Sequence, residues 1–330
     1  MGFLDLWLEV TANCNSKCIT CNMWKQNRSN ELSLEETKSI FKSKCMKGIG
    51  NVYLTGGEPF LRDDFVEIVN FISSELRCSI SFATNGLLPQ RIYEMVKKMN
   101  SKPSIDISLN GREETHDFTR GIEGSFNKSI QTYKYLLKLG IKANFLFTIC
   151  PYNIDDIQWV QKFSRELGTH VGFALAMPIE RIGSQDLDIY GYSVDQKKGI
   201  LSQLPLSIFK TVLEKYFNNT FFFSCKYGSK MIEVSSMGSV YACSHFTPEL
   251  KMGEIRETSL DQIMNSERTK EVIKFIKNRE CQPCPISLSH AINSITVGTG
   301  YLMRKKIYKI ASFPKRYLKA YSIQKRGKER

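Results

Sequence analysis

The chain lacks any apolar run long enough to cross a bilayer, so no membrane-spanning helix is expected. It also lacks a secretory signal, and its ten cysteines are therefore expected to serve metals or catalysis in a reducing cytosol rather than to form bridges. Acidic residues are in short supply: 33 Asp and Glu stand against 46 Lys and Arg, leaving a formal charge of +13. That excess is local. Between Tyr301 and Arg330 there are eleven Lys or Arg and one Glu, which gives +10 and leaves +3 for the first 300 residues. The basic character thus belongs to a tail and does not mark the body as a nucleic-acid binder. With 42% apolar and 24% charged residues over 330 positions, the body can bury one large domain and a smaller one.

One shortage is chemically informative. Cys14, Cys18 and Cys21 form a C-x3-C-x2-C run just after a strand-like stretch at 3–10, and no fourth Cys or His lies nearby. Three thiolates can grip one face of an iron–sulfur cube and leave the fourth iron without a protein donor. An open metal position is where catalysis occurs, whereas a structural zinc site is closed by four ligands. A zinc knuckle or a disulfide pair is the alternative, and the missing fourth ligand and missing signal weigh against each.

Up to about residue 180 short apolar runs alternate with helix-length segments, the pattern of parallel β/α units. Strands are expected at 3–11, 51–55, 79–84, 104–109, 142–149 and 170–176, and helices at 33–46, 63–76, 89–99, 125–139 and 155–167. Ser33 and Glu36 form a capping box at the first of these helices.

The cysteine run after a first strand, with Thr55-Gly56-Gly57-Glu58-Pro59 after a second, resembles the radical S-adenosylmethionine (radical SAM) superfamily. The resemblance implies an α/β fold, a partial (β/α)6 TIM-like barrel with its cofactor at the C-terminal strand ends. It also implies a [4Fe–4S] cluster on Cys14, Cys18 and Cys21 whose open iron holds the amino and carboxylate groups of SAM. Reductive cleavage of SAM then gives a 5′-deoxyadenosyl radical that takes hydrogen from substrate, with a reductant such as flavodoxin or ferredoxin. Gly56 and Gly57 let backbone approach a ligand, and Glu58 can accept from an ammonium group. Asn85, Ser108 and Asn110 match positions that line the methionine and ribose of SAM, Asn110 standing where an acid is usual. Thr20 stands where the residue before the last Cys is commonly aromatic, with Met23 or Trp24 as the alternative contact to adenine. The segment His116-Asp117-x-x-Arg120-Gly121-x-x-Gly124-Ser125-Phe126 resembles one found in a radical SAM subgroup, or is a loop whose Ser125 caps the next helix.

A second set comprises Cys225, Cys243, Cys281 and Cys284, around an expected hairpin at 231–234 and 238–243 and a helix at 260–277. Four cysteines suit zinc or a [4Fe–4S] cluster equally well by spacing. Behind a radical SAM core they resemble the twitch domain, a shortened SPASM domain, and this implies one auxiliary [4Fe–4S] cluster. The expected division is a barrel at 1–205, a twitch/SPASM-like domain at 206–290 and a basic amphipathic tail at 291–330.

Residues 180–203 are weakly patterned and read as a linker or a loop over the barrel mouth. Arg181 follows the sixth strand and Cys150 ends the fifth, at the rim where substrate would sit. They are the catalytic candidates, for proton and hydrogen-atom transfer respectively. Cys45 and Cys78 read as small buried hydrophobes, and His245 as an acid/base or a neighbour of the second cysteine set. The expected reaction is oxidation or related C–H chemistry on a small polar molecule such as a sugar or aminocyclitol, free or lipid-linked. The alternatives are modification of a short peptide, or a non-catalytic iron–sulfur or zinc protein with a nucleic-acid-binding tail. In the tail, cations interleave with Ile307, Tyr308, Phe313 and Tyr317. That pattern suits an anionic membrane surface ahead of nucleic acid, and so a cytoplasmic protein peripheral to the inner face of the membrane.

Overall fold

The computed structural model describes residues 5–281, apart from 27–28, 188–189, 219–224, 226, 244–246 and 279. Cys284, His245 and the basic tail lie outside the described residues. Six strands, β1 (Asp5–Thr11), β2 (Asn51–Gly56), β3 (Ser79–Thr84), β4 (Ser104–Ser108), β5 (Ala143–Ile149) and β6 (Val171–Leu175), pair in parallel in sequence order. Helices α1 (Leu34–Lys42), α2 (Phe65–Glu75), α3 (Pro89–Lys97), α4 (Glu113–Arg120), α5 (Ser125–Lys138) and α6 (Ile157–Glu166) lie between them. The capping box of Ser33 and Glu36 opens α1.

Strand alternation separates two faces. Leu6, Leu8, Leu54, Phe82, Ile107 and Phe147 are fully buried in the core shared with the helices. Trp7, Tyr53, Ser81, Asp106 and Asn144 have the opposite parity and are only half-buried. They line a polar lumen, where Trp7 stacks on Tyr53 with centroids 4.2 Å apart and Asn144 Nδ2 donates to Asp106 at 3.3 Å. Burial pushes the Asp106 carboxyl up to about 6. In a flat sheet β1 and β6 would lie roughly 24 Å apart, at about 4.8 Å per strand. Yet the turn after β6 touches the segment after β1, Asn22 N–H donating to Ile182 C=O at 2.9 Å. The sheet therefore curls into the partial (β/α)6 TIM-like barrel.

Several elements differ from the sequence expectation. Helix α4 occupies the His116–Arg120 segment, and Asp117 rather than Ser125 caps α5. Its carboxylate accepts from Gly124 N–H (2.6 Å), Phe126 N–H (2.8 Å) and the Ser125 hydroxyl (2.8 Å). The weakly patterned stretch after β6 contains a helix, α7 (Val194–Gln203), opened by a second capping box and followed by α8 (Ile208–Phe217). Beyond these, β7 (Met231–Val234) and β8 (Ser239–Tyr241) gain a third strand, β9 (Lys251–Glu254). Strand β7 pairs in parallel with β1, placing Trp7 opposite Glu233, so one nine-stranded sheet runs through barrel and hairpin. The expected long helix is broken into α9 (Leu260–Asn265) and α10 (Glu267–Lys277) at Ser266, whose hydroxyl caps α10 through Thr269 N–H. No helix among the described residues is long and apolar enough to cross a membrane.

Candidate active site

The cysteine run forms the loop that leaves β1, and the next strand end fixes its stem. Gly57 N–H donates to Thr11 C=O and Glu58 N–H to Asn13 C=O, both at 2.8 Å. A Cβ on Gly56 would stand 2.1 Å from Thr11 O, and one on Gly57 2.2 Å from Asn13 O. The Gly-Gly pair thus lets chain approach chain. Glu58 is fully buried and its carboxylate already accepts from the Thr84 hydroxyl (2.8 Å) and Asn85 N–H (2.7 Å). Burial pushes its pKa up to about 7 against those hydrogen bonds.

Two further segments clamp the loop from outside. From α4, Arg120 C=O accepts from Lys17 N–H and the Ser16 hydroxyl, and Thr119 C=O from Ile19 N–H, each at 3.1 Å. From the turn after β6, Ile182 C=O takes Asn22 N–H, Gly183 C=O takes Asn22 Nδ2 (2.8 Å), and Arg181 C=O takes Gln26 Nε2 (3.3 Å). The strand after Glu58 contributes Asn85, whose Nδ2 donates to Asn15 Oδ1 at 2.7 Å and points at Cys14 Sγ at 3.9 Å.

Within the loop, Ser16 N–H donates to Cys14 Sγ and Met23 N–H to Cys21 Sγ, both at 3.4 Å, and the Ser16 hydroxyl lies 3.1 Å from Cys18 Sγ. Burial pushes the Cys14 thiol up to about 11 and the Cys21 thiol to about 12, with neighbouring Cys18 adding to both. Ionising Cys14 and Cys21 here calls for added positive charge, which a bound iron cluster would supply. No group of three or more His, Cys, Asp or Glu among the described residues is gathered into metal-holding geometry. The fit therefore rests on the donor chemistry: three thiols in one loop with backbone N–H groups already aimed at two of the sulfurs.

The other sequence-derived candidates occupy strand ends of the same rim. Ser108 ends β4 and is half-buried. Asn110 is buried, and its Oδ1 accepts from Thr148 N–H at 3.1 Å, holding β5. Thr20 is half-buried in the turn before Cys21. Met23 is buried and Trp24 is exposed. Cys150 is fully buried just past β5, its N–H bound to Asn153 Oδ1 at 2.8 Å, and burial raises its thiol to about 11. Arg181 forms an ion pair with Glu9 at 3.3 Å. Sequence reasoning gave Glu9 no role and Arg120 none of its own. The Nε of Arg120 is buried without a hydrogen-bond partner among the described residues, and the guanidinium's charge acts on Cys14 and Glu58. Beside it His116 is buried and neutral, its Nδ1 accepting from Asn110 N–H at 2.9 Å.

Of the second cysteine set, Cys225 and Cys243 flank the hairpin strands and pack against the core, and Cys281 follows α10. All three are half-buried.

Known families match both regions. The Radical SAM superfamily model covers residues 8–163, and the SPASM model, an iron–sulfur cluster-binding domain, covers 225–285. The chain carries a radical SAM domain and a SPASM domain. These two domains imply SAM, a SAM-binding [4Fe–4S] cluster and auxiliary iron–sulfur binding. Among curated relatives, the antilisterial bacteriocin subtilosin biosynthesis protein AlbA of Bacillus subtilis (strain 168) is 26% identical over 279 residues. The match covers 80% of this chain but only 60% of AlbA's length. A GTP 3′,8-cyclase of Clostridium botulinum is 26% identical over 282 residues, 77% of this chain and 85% of the cyclase. Among solved structures, anSMEcpe with bound AdoMet aligns with a TM-score of 0.63 at 18% identity, over 86% of this chain and 88% of that one. Streptococcus suis SuiB bound to precursor peptide SuiA gives 0.65 at 16% identity, over 81% of this chain and 65% of that one. At these identities the structural likeness concerns the fold.

Proposed function

We propose that Cys14, Cys18 and Cys21 hold the SAM-binding cluster, and that the enzyme abstracts hydrogen from a C–H bond of a polar substrate seated in the barrel lumen. The supporting observation is the cysteine loop itself, drawn by hydrogen bonds against the ends of β2, β3 and α4 and the turn after β6. When bound, the cluster supplies the electron and the open iron for reductive cleavage of SAM to a 5′-deoxyadenosyl radical. The chain's own residues bind and orient. Arg120, with a buried N–H free to donate, suits the carboxylate of SAM. Asn85 fixes the loop beside Cys14. The lumen face of Tyr53, Ser81, Asp106 and Asn144 offers hydrogen bonds to a hydroxyl- or amine-bearing substrate. Cys225, Cys243 and Cys281, together with Cys284, are assigned to one auxiliary [4Fe–4S] cluster. Modification of a peptide is the second reading, supported by the likeness to AlbA and to SuiB in its peptide complex.

Replacing Cys14, Cys18 and Cys21 together with Ala tests the assignment. Under anaerobic conditions with SAM and dithionite, the variant should form no 5′-deoxyadenosine while keeping the iron of the second set. Continued cleavage rules the assignment out.

A further inference from the structure

Glu9 lies on the lumen face of β1 near its C-terminal end, five residues before Cys14, and its side chain is 1% exposed. One oxygen pairs with Arg181 Nη1 at 3.3 Å, and Arg181's side chain is itself only 12% exposed. The other oxygen accepts from Ser236, from the hydroxyl at 2.7 Å and the N–H at 3.3 Å, in the turn between β7 and β8. A buried carboxylate and a buried guanidinium therefore join three distant segments: β1, the turn after β6 and the SPASM hairpin. The Arg181 segment also holds the cysteine loop. Ile182 C=O takes Asn22 N–H at 2.9 Å and lies 4.0 Å from Cys21 Sγ. Arg181 is thus the neighbour in sequence of the residue whose carbonyl meets the Cys21 sulfur, and its charge, paired with Glu9, favours negative charge on that sulfur.

We propose that Glu9 and Arg181 are a positioning pair that sets the reduction potential of the cluster held by Cys14, Cys18 and Cys21, with Ser236 of the SPASM hairpin fixing Glu9 in place. The inference rests on the cluster assignment above. Adding an electron makes the cluster more negative. A buried cation near the cysteine loop stabilises that state, and a buried anion opposes it, because neither is screened as it would be in water. The two members therefore act with opposite signs. A carboxylate tied to the hairpin keeps Arg181's charge partly offset, so disturbance of the second domain reaches the first cluster without any contact between the clusters.

The test is an EPR-monitored redox titration of the anaerobically reconstituted holoenzyme, following the signal that changes when SAM is added. Arg181→Met should lower the midpoint potential, Glu9→Gln should raise it, and the double variant should lie between them. Shifts of the same sign in both single variants, or no shift in either, overturn the proposal, since a merely structural role has no reason to change sign. Should Arg181→Met take up no iron, Glu9→Gln and Ser236→Ala carry the test. Both should raise the potential, Ser236→Ala by less, and no rise in either overturns the proposal. Loss of the cluster assignment itself is recognised separately, by a wild-type signal that does not respond to SAM.

Discussion

Replacing Gly57 with Ala places the heaviest test on the way the cysteine loop is held. A Cβ at this position meets three backbone atoms of the loop stem, at 2.2 Å from Asn13 O and 2.5 Å from both Ala12 O and Asn13 C. No side chain can swing aside to make room, so the stem must retreat by about 1 Å to reach ordinary packing distance. Retreat on that scale breaks the two 2.8 Å bonds, Gly57 N–H to Thr11 and Glu58 N–H to Asn13. Each lost bond costs roughly 0.5–1.5 kcal/mol and forced overpacking about 1–3. The expected destabilisation is therefore ~2–6 kcal/mol, a large share of the ~5–15 kcal/mol that domains usually have. Gly48→Ala is the control. It has positive φ but nothing within 4 Å, so its cost is backbone strain alone, on the order of 1 kcal/mol. Urea unfolding of the two iron-free variants measures the difference, and iron uptake at the first site should fall in Gly57→Ala only. Equal midpoints for the two variants, with full iron uptake in both, would refute the idea that the Gly-Gly pair exists for chain-to-chain approach.

Three further outcomes are expected. His116 is held neutral by burial and by Arg120's charge, with a pKa lowered from 6.5 to about 3, so the unfolded chain binds a proton that the folded chain refuses. Stability from this group is complete above pH 6.5 and declines by about 1.4 kcal/mol per pH unit as pH falls toward 3. A His116→Asn variant should lack that part of the acid slope in urea titrations between pH 6.5 and 4.5, and an unchanged slope would contradict the buried-neutral assignment. Asp117→Ala removes three acceptor contacts at the start of α5 and should cost about 1–2 kcal/mol in chemical denaturation while SAM cleavage persists. Deleting the chain after Gly300 removes the +10 segment, and cosedimentation with anionic vesicles at low salt should drop with SAM cleavage retained.

What the sequence made legible follows from what leaves a periodic mark. The parallel strands were readable mainly because β2 to β5 bury alternate residues, as Val52 and Leu54 or Phe145 and Phe147 do, while β1 is an apolar run buried almost throughout. Helix α4 was not, since Glu113–Arg120 carries little apolar content and buries only His116 and Thr119. Helix α7 buries Ile200 alone, and β9 is a four-residue Lys-Met-Gly-Glu segment with one fully buried side chain, so neither offers a pattern to find. Ser266 was hidden for another reason. Apolar spacing runs on across it, and only its hydroxyl cap on Thr269 reveals that one helix has ended and another begun. The pairing of β7 with β1 joins residues more than 200 positions apart, which local periodicity cannot report.

The same limit explains how the site was half read. The thiols, Glu58 and Asn85 are side chains whose types announce their chemistry. The clamp that shapes the cysteine loop is made largely of backbone carbonyls: Thr11, Asn13, Thr119, Arg120, Ile182 and Gly183. Every residue has a carbonyl, so these contacts place almost no demand on residue type and leave almost no trace. The traces they do leave are steric. A Cβ on Gly121 would lie 2.4 Å from Lys17 O, just as one on Gly57 would collide with Asn13. The Arg120-Gly121 pair therefore combines two demands, a carbonyl for Lys17 with no bulk beside it, and a buried cation facing the cysteine site. The segment 116–126 therefore does two things: Asp117 caps α5, while Thr119, Arg120 and Gly121 pack against the cysteine loop. Glycines that close a strand or a helix beside the site are then worth reading as records of close approach, as Gly57 and Gly121 are.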